Sequence, residues 1–139
     1  EEIIRPNYLR FYQELDRWEG NPVDKLLENL QHLSSRATDE DVSLGCPLNN
    51  LVQEMSPLDE DFRLRMKAIV DSIHKSVAAA LTRGQEAGQL RRDFRPEQVA
   101  QFFFAGVEGA YVTAKVRKDA AAFKSTLEIL SQFLNSLRI

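Results

Sequence analysis

Cysteine and histidine are scarce in this chain, which has one cysteine, Cys46, and two histidines, His32 and His74. A single cysteine cannot close an internal disulfide, so we expect a reducing, cytoplasmic setting. Glu28 and His32, and Asp71 and His74, have helical spacing, but a di-iron bundle needs two Glu-x-x-His pairs and further carboxylates. No Ser-His-Asp, paired-carboxylate or metal group can be assembled from these residues, so we expect no metal, no other cofactor and no enzymatic activity.

Long apolar runs and a surplus of basic residues are also absent. No apolar run approaches the roughly 20 residues that span a bilayer, and residues 1–10 show no signal-peptide pattern, so no membrane is expected as a partner. The net charge is −3 and no basic stripe with interleaved aromatics occurs, which argues against direct nucleic-acid binding.

With 43% hydrophobic and 28% charged residues, the chain is typical of one domain with its own core. It begins at Glu1 rather than at a methionine, from which we expect a fragment.

Helical periodicity runs through the chain, and no segment shows the sustained alternation of a strand. The pattern predicts an all-α fold of six helices: residues 6–18, Pro22–Arg36, Pro47–Met55, a long helix opened by Ser56-Pro57 and ending near residue 87, a helix beginning at Pro96, and residues 120–137. Asn21 and Asp119 are predicted N-caps, and Gly88 is a predicted C-terminal cap. The acidic segment 38–41 is interpreted as a loop.

The fifth predicted helix is apolar on nearly all sides, so it must be covered on more than one side. It contains Gly106 and Gly109, and because an interior glycine costs about 1 kcal/mol of helix propensity, a packing reason is expected for both. We interpret the last two helices as a homodimer interface, a four-helix bundle with two helices from each chain; the alternative is that they close the core of one chain. The predicted interface residues are Phe102, Ala105, Gly106, Gly109, Ala110, Thr113, Phe123, Leu127, Leu130 and Leu134.

The only cysteine stands in the turn Gly45-Cys46-Pro47, at the predicted start of the third helix. Backbone N–H groups at a helix start favour negative charge, so a thiol there can have a lowered pKa and react with oxidants or electrophiles. No histidine or lysine adjoins Cys46 in sequence to activate it, and a free cysteine commonly fills a packed joint as a small hydrophobe. A redox sensor and a packing role are both consistent with this pattern.

Several short motifs follow one another along the chain: Gly45-Cys46-Pro47-Leu48-Asn49-Asn50-Leu51, Phe62 in a long helix, Glu86-Ala87-Gly88-Gln89-Leu90-Arg91, and a Pro96 helix with Gly106-Val107-Glu108-Gly109-Ala110 and Ala114-Lys115-Val116. In order and spacing, over essentially the whole chain, they resemble the C-terminal domain of TetR-family transcriptional repressors. The resemblance implies that residues 1–139 form a regulatory domain that dimerises through its last two helices and binds a small-molecule inducer between its central helices. It also implies an N-terminal helix-turn-helix, absent from this sequence, that alone contacts operator DNA. The first helix, with Tyr8, Leu9 and Tyr12, is the expected connection to it.

The inducer pocket has to be assembled from the apolar faces of the predicted helices. Aromatic residues with flexible methionines suit a promiscuous apolar cavity, although the same residues would fill a dry helical core. Asn49 could bind a ligand carbonyl or cap its own turn, and His32 and His74 could be polar anchors or ordinary surface histidines. The predicted ligand-binding residues are Phe11, Trp18, Leu48, Asn49, Val52, Met55, Phe62, Met66, Ile69, Ile73, Phe103, Val107 and Tyr111.

The sequence therefore favours a ligand-sensing, dimerising regulatory domain in which inducer binding relieves operator binding. Two alternatives are a helical adaptor that binds a protein partner through the surface of the fifth helix and has no ligand cavity, and a thiol-based sensor acting through Cys46.

Overall fold

Helices account for most of the chain in the computed structural model, which describes the backbone of residues 4–139 and side chains from Leu9 onward. The helices are α1 (Ile4–Asp16), α2 (Pro22–Arg36), α3 (Asp39–Leu44), α4 (Pro47–Met55), α5 (Glu60–Glu86), α6 (Pro96–Arg117) and α7 (Ala120–Asn135). The predicted all-α class is confirmed. The side chain of Tyr8, predicted to belong to the connecting helix, lies outside the described side chains.

The helix starts follow from local capping. The Asn21 carbonyl oxygen Oδ1 accepts a hydrogen bond from the Val23 N–H at 3.0 Å, and an Asp119 carboxylate oxygen accepts one from the Ala121 N–H at 2.9 Å, so both predicted N-caps are confirmed. The predicted start of the long helix at Ser56-Pro57 is a few residues too early. Asp59 caps α5 instead, accepting from the backbone N–H of Phe62 at 3.0 Å.

The loop predicted for residues 38–41 is wrong, because this segment begins the short helix α3. The Thr38 hydroxyl caps α3 by accepting from the Asp41 N–H at 3.1 Å, and acidic residues in the first turn favour the helix dipole. The carboxylate of Asp39 also accepts from the Ala120 N–H at 2.8 Å, which joins α3 to the start of α7.

The C-terminal cap predicted at Gly88 is confirmed. Gly88 has a φ of +73°, and its N–H donates to the Gln85 carbonyl at 3.1 Å while the Gln89 N–H donates to the Gly84 carbonyl at 2.9 Å. These two bonds form a Schellman motif, which ends α5 and turns the chain toward α6. The chain after this turn is fastened to the C-terminal end, since the Arg91 N–H donates to the Leu137 carbonyl at 2.9 Å.

The core is built around α6, which packs against both α5 and α7, while α1 and α2 pack on α5 and α7. Phe103 and Phe123 are fully buried in this main core. A second, smaller apolar cluster joins α4 to α5 and contains Cys46, Leu48 and Met66. Among the described residues, no helix is both long and apolar enough to cross a membrane.

About half of the residues predicted at the dimer interface lie inside the core of the single chain. They are Ala110, Phe123, Leu127, Leu130 and Leu134. Gly106 also packs within the chain, because a Cβ there would come within 3.1 Å of the Leu130 side chain. These five side chains are thus covered within the single chain, whereas Gly106 is half-buried. Phe102, Ala105, Gly109 and Thr113 are exposed.

Candidate functional site

A cleft of about 690 Å³ opens between α1, α2 and α6. Its volume falls within the range of small-molecule sites, roughly 300–1,000 Å³. It is lined by Arg10, Phe11, Tyr12, Glu14, Lys25, Glu28, Asn29, His32, Leu33, Arg36, Val107, Glu108 and Tyr111. Exposed charged side chains from α1 and α2 surround its mouth, whereas Tyr12, Lys25, Val107 and Glu108 are buried at its floor.

On the α6 side the floor includes the buried residue Glu108. Burial and the charge of Glu108 raise the pKa of Tyr12 far above its ordinary value. Burial, with the charges of Cys46 and Glu108, raises the pKa of Tyr111 to about 12. Both tyrosines therefore keep their protons at neutral pH and present hydroxyl groups to the floor of the cleft.

The opposite side of the floor is formed by Lys25 on α2. Its ammonium Nζ lies 3.1 Å from Oε2 of Glu14 and 3.3 Å from Oε1 of Glu28, and 6.0 Å from the ring centroid of Phe11. Burial lowers the pKa of Lys25, but the hydrogen bonds to the two carboxylates outweigh burial and raise it overall. The hydrogen bond and charge of Lys25 lower the pKa of Glu14. This ion pair links α1 to α2 across one wall of the cleft.

Cys46 lies behind the floor as the N-cap residue of α4, where the sequence places it. Burial and the adjacent carboxylate of Glu108 raise the pKa of the thiol to about 11, although the backbone N–H groups of Asn49 and Leu48 act in the opposite direction. The thiol is therefore protonated at neutral pH, which favours the packing role over the redox-sensor role.

Three of the predicted ligand-binding residues line the cleft, namely Phe11, Val107 and Tyr111. Trp18 lies beside it, where its indole Nε1–H donates to the Asn21 carbonyl at 3.0 Å and its ring lies 5.4 Å from the ammonium of Lys25.

The other predicted ligand-binding residues lie elsewhere. Leu48, Val52, Phe62, Met66 and Ile69 pack together in the smaller apolar cluster, which Tyr111 joins to the cleft. Two more belong to the main core, Ile73 and Phe103, and Met55 is half-buried near the end of α4.

Three polar residues considered from the sequence have distinct environments. Nδ2 of Asn49 lies 3.5 Å from the Glu108 carbonyl oxygen, behind the cleft. His32 is at the mouth of the cleft, whereas His74 lies in a separate groove between α5 and α6, edge-on to Phe104. No cluster of three or more metal-ligating side chains occurs among the described residues.

Sequence reasoning missed nine of the lining residues, namely Arg10, Tyr12, Glu14, Lys25, Glu28, Asn29, Leu33, Arg36 and Glu108. The available signal was a charge within an apolar pattern. Glu108 interrupts the apolar run of α6, and Lys25 lies between Val23 and Leu26 on the buried face of α2.

Residues 22–130 match the family described as the tetracyclin repressor-like C-terminal domain. The chain therefore belongs to the TetR family of transcriptional regulators, of which it is a C-terminal domain, and the family resemblance predicted from its motifs is confirmed.

Relatives and solved structures agree with this assignment. Over 110 residues the chain is 30% identical to a functionally uncharacterized HTH-type transcriptional regulator in the lacX 3′ region of Lactococcus lactis subsp. lactis, covering 79% of this chain and 54% of that protein. Over 153 residues it is 23% identical to the HTH-type transcriptional repressor DhaR of Mycobacterium sp. strain GP1, covering 96% of this chain and 77% of the repressor. The chain thus spans about half the length of the first of these relatives.

Two crystal structures share the fold. The regulatory protein TetR from Rhodobacter sphaeroides superposes with a TM-score of 0.76 at 22% identity, covering 94% of this chain and 70% of that one. A TetR regulator from Chloroflexus aurantiacus superposes with a TM-score of 0.81 at 17% identity, covering 99% and 69%.

Proposed function

We propose that this domain is the small-molecule-sensing and dimerisation part of a cytoplasmic TetR-family repressor, in which an inducer bound in the cleft relieves operator binding by an N-terminal helix-turn-helix. The observation that carries the proposal is the cleft of about 690 Å³ between α1, α2 and α6. The names of the relatives describe HTH-type regulators, which supports a DNA-binding role for the whole protein and not for this domain.

The position of α1 gives the proposed mechanism. Phe11 and Tyr12 place α1 in the wall of the cleft, and two contacts hold the helix in position. Glu14 binds Lys25 of α2, and the Arg83 guanidinium Nη2 donates to the Leu15 carbonyl at 3.1 Å. A ligand that binds one position of α1 more tightly than another shifts the equilibrium by the difference between the two affinities. Because α1 precedes the rest of the domain, its shift is the proposed signal to the DNA-binding part.

The proposed dimer interface is the exposed apolar face of α6 and α7. Phe102 is 52% exposed and Ile129 is 63% exposed, and the rings of Phe102 and Phe133 are 5.0 Å apart. Val112 and Val116 extend this face along α6. Apolar side chains of this size, exposed side by side on two helices, are typical of an interaction surface, and we propose a second copy of the chain as its partner.

Ligand-induced thermal stabilisation of the isolated chain tests the sensing role. A ligand at 100 times its Kd raises the free energy of unfolding by about 2.7 kcal/mol. In a screen of a chemical library, we expect stabilising compounds to lose their effect in Leu33→Trp, which fills the cleft. They should keep it in Leu51→Trp, a matched control whose side chain is exposed on α4 outside the cleft. Equal stabilisation of both variants would place the ligand elsewhere, and no stabilising compound would count against sensing. In the full-length regulator, a compound that passes this test is expected to release operator DNA in a gel-shift assay.

The adaptor alternative is supported by the same exposed face of α6 and α7, because an apolar surface can bind a different protein as well as a second copy. The oligomeric state of the purified chain distinguishes the two, since an adaptor is expected to be monomeric in the absence of its partner.

A further inference from the structure

Four of the charged side chains that line the cleft are bound to one another. The ammonium of Lys25 is hydrogen-bonded to the carboxylates of Glu14 and Glu28. The guanidinium of Arg10 lies 3.3 Å from the carboxylate of Glu14. This group holds two positive and two negative side chains, so its charges balance within the protein, and its two carboxylates are already bound by Lys25.

Arg36 is the remaining arginine or lysine of the lining, and its setting differs from that of Arg10 and Lys25. It lies in the last turn of α2 and is exposed at the mouth of the cleft. Its guanidinium forms no ion pair with any residue that the structure describes. The positive charge of Arg36 is therefore free to pair with a ligand.

Two further polar side chains share a face of α2 with Arg36. Asn29, His32 and Arg36 are spaced by three and four residues, which makes them neighbours along one side of the helix, and all three line the cleft. Within the described part of the chain, the side chains of Asn29 and His32 make no hydrogen bond. The three side chains thus present amide, imidazole and guanidinium N–H donors to the same cleft.

Donors of these kinds favour a carboxylate as their partner. The planar guanidinium of an arginine binds both oxygens of a carboxylate at once, which a point charge cannot do. An ion pair on an open surface contributes little because water screens it, but a ligand seated in the cleft displaces water from the pair. Asn29 is half-buried, so a carboxylate held next to it lies partly below the protein surface.

The lining also offers apolar surface for the rest of a ligand. Leu33 follows His32 on α2 and is half-buried, and Phe11, Val107 and the ring of Tyr111 line the same cleft. A molecule with a carboxylate at one end and an apolar body at the other end matches both parts of this lining.

Resting on the function proposed above, we infer that the ligand of this cleft is an organic carboxylate with an aryl or alkyl body. Its carboxylate binds the guanidinium of Arg36 together with the side chains of Asn29 and His32. Its apolar body lies between Phe11 and Leu33.

Three probes of nearly equal size and shape but different charge test this assignment: 2-naphthylacetate, 2-(2-naphthyl)ethanol and 2-(2-naphthyl)ethylammonium. Titrated into the purified chain and followed by calorimetry, naphthylacetate is expected to bind about tenfold more tightly than the other two, the gain typical of a hydrogen bond between charged groups. In Arg36→Gln this preference should fall below about twofold, because glutamine lacks the charge and the paired donors of arginine. The affinity for the alcohol should change by less than about twofold.

Arg10→Gln is the matched control. Arg10 is exposed and lines the same cleft, but its guanidinium is already paired with Glu14. Each variant removes one positive charge from the cleft, so an effect of net charge alone would be equal in the two. The control is expected to keep the preference for naphthylacetate. The thermal unfolding midpoints of both variants are measured alongside, and the probe preference of the unaltered chain tests the inference even if Arg36→Gln does not fold.

The remaining outcomes separate this inference from the function on which it rests. Equal or tighter binding of the alcohol or of the ammonium probe overturns the carboxylate assignment and leaves ligand sensing in place. Equal loss of the preference in both variants assigns it to net charge and overturns the role of Arg36. Absence of binding by naphthylacetate also overturns the assignment, and ligand sensing itself fails only if the library screen yields no cleft ligand.

Discussion

The thiol of Cys46 and the carboxylate of Glu108 lie against each other where the start of α4 meets the middle of α6. Burial, together with this contact, raises the pKa of the thiol to about 11. The start of a helix normally favours a thiolate, and the N–H groups of Leu48 and Asn49 do lower this pKa. In this protein, burial and a neighbouring negative charge outweigh the helix start.

We predict that Cys46 of the folded chain reacts slowly with iodoacetamide, with a rate that keeps rising toward the thiol pKa of about 11. In Glu108→Gln the pKa should fall and the labelling rate at neutral pH should rise, because one source of negative charge is removed. Labelling in denaturant supplies the reference rate of an exposed cysteine. Fast labelling of the folded, unaltered chain at neutral pH would instead revive the redox-sensor hypothesis.

The ion pair between Glu14 and Lys25 gives a prediction for the acid range. The pKa of Glu14 is lowered in the folded state by the hydrogen bond and charge of Lys25, so its contribution to stability is present above its unfolded pKa and is lost as the pH falls through its folded pKa. In Lys25→Met the pKa of Glu14 should rise toward its ordinary value, as measured by carboxyl 13C NMR. Glu60, whose pKa is lowered by Arg63 on α5, is the internal control and should not move. An unchanged pKa of Glu14 would show that Lys25 is not its partner in solution.

The sequence was sufficient where a structure depends on a few neighbouring residues. Asn21 and Asp119 each cap the helix that follows through a side chain that reaches only two residues ahead. Gly88 ends α5 because a glycine readily adopts the positive φ that the turn requires. Features of this kind can be predicted because their geometry is local.

The cleft could not be predicted in the same way, since it depends on how helices far apart in sequence are placed. Glu108 of α6 meets Tyr12 of α1 across about a hundred residues, and no local pattern fixes that contact. The apolar faces of α4 and α5, which suggested a pocket, pack instead into the small cluster around Leu48 and Met66. The short helix α3 was also missed. It is joined to α7 by the hydrogen bond from the Ala120 N–H to the carboxylate of Asp39, a contact between segments far apart in sequence.

Two glycines in helix interiors should respond in opposite directions to the same substitution. A Cβ at Gly84 would come within 2.7 Å of the Leu90 side chain and 2.8 Å of Pro22, so we expect Gly84→Ala to lower the free energy of unfolding by about 1–3 kcal/mol. Among the described residues, a Cβ at Gly109 meets no atom within 4 Å beyond its chain neighbours and the backbone of its own helix, so in a monomer Gly109→Ala should raise this energy by about 1 kcal/mol. Urea unfolding of the two variants makes the comparison. A stabilised Gly84→Ala would show that α5 and the Leu90 turn are farther apart in solution.

The proposed dimer predicts a specific sensitivity to charge. Phe102→Asp and Ile129→Asp should each convert a dimer into a monomer at micromolar concentration, because a carboxylate would then be buried between the two chains. Leu58→Asp is the control, since Leu58 is also apolar and is even more exposed, but it precedes α5 and belongs to neither α6 nor α7. Light scattering reports the mass of each variant. An unaltered chain that is monomeric under the same conditions contradicts the dimer and favours the adaptor.

Helix α6 presents Glu108 to the cleft and, at the next position, the exposed Gly109 to the proposed partner. In the proposed dimer, a ligand that shifts this helix would therefore change the strength of association between two chains. By thermodynamic linkage, the factor by which the ligand changes the association constant of the two chains equals the factor by which association changes the affinity for the ligand. The concentration of the regulator would then set the dose of inducer that it detects, so that a scarce repressor and an abundant one, identical in sequence, respond at different thresholds.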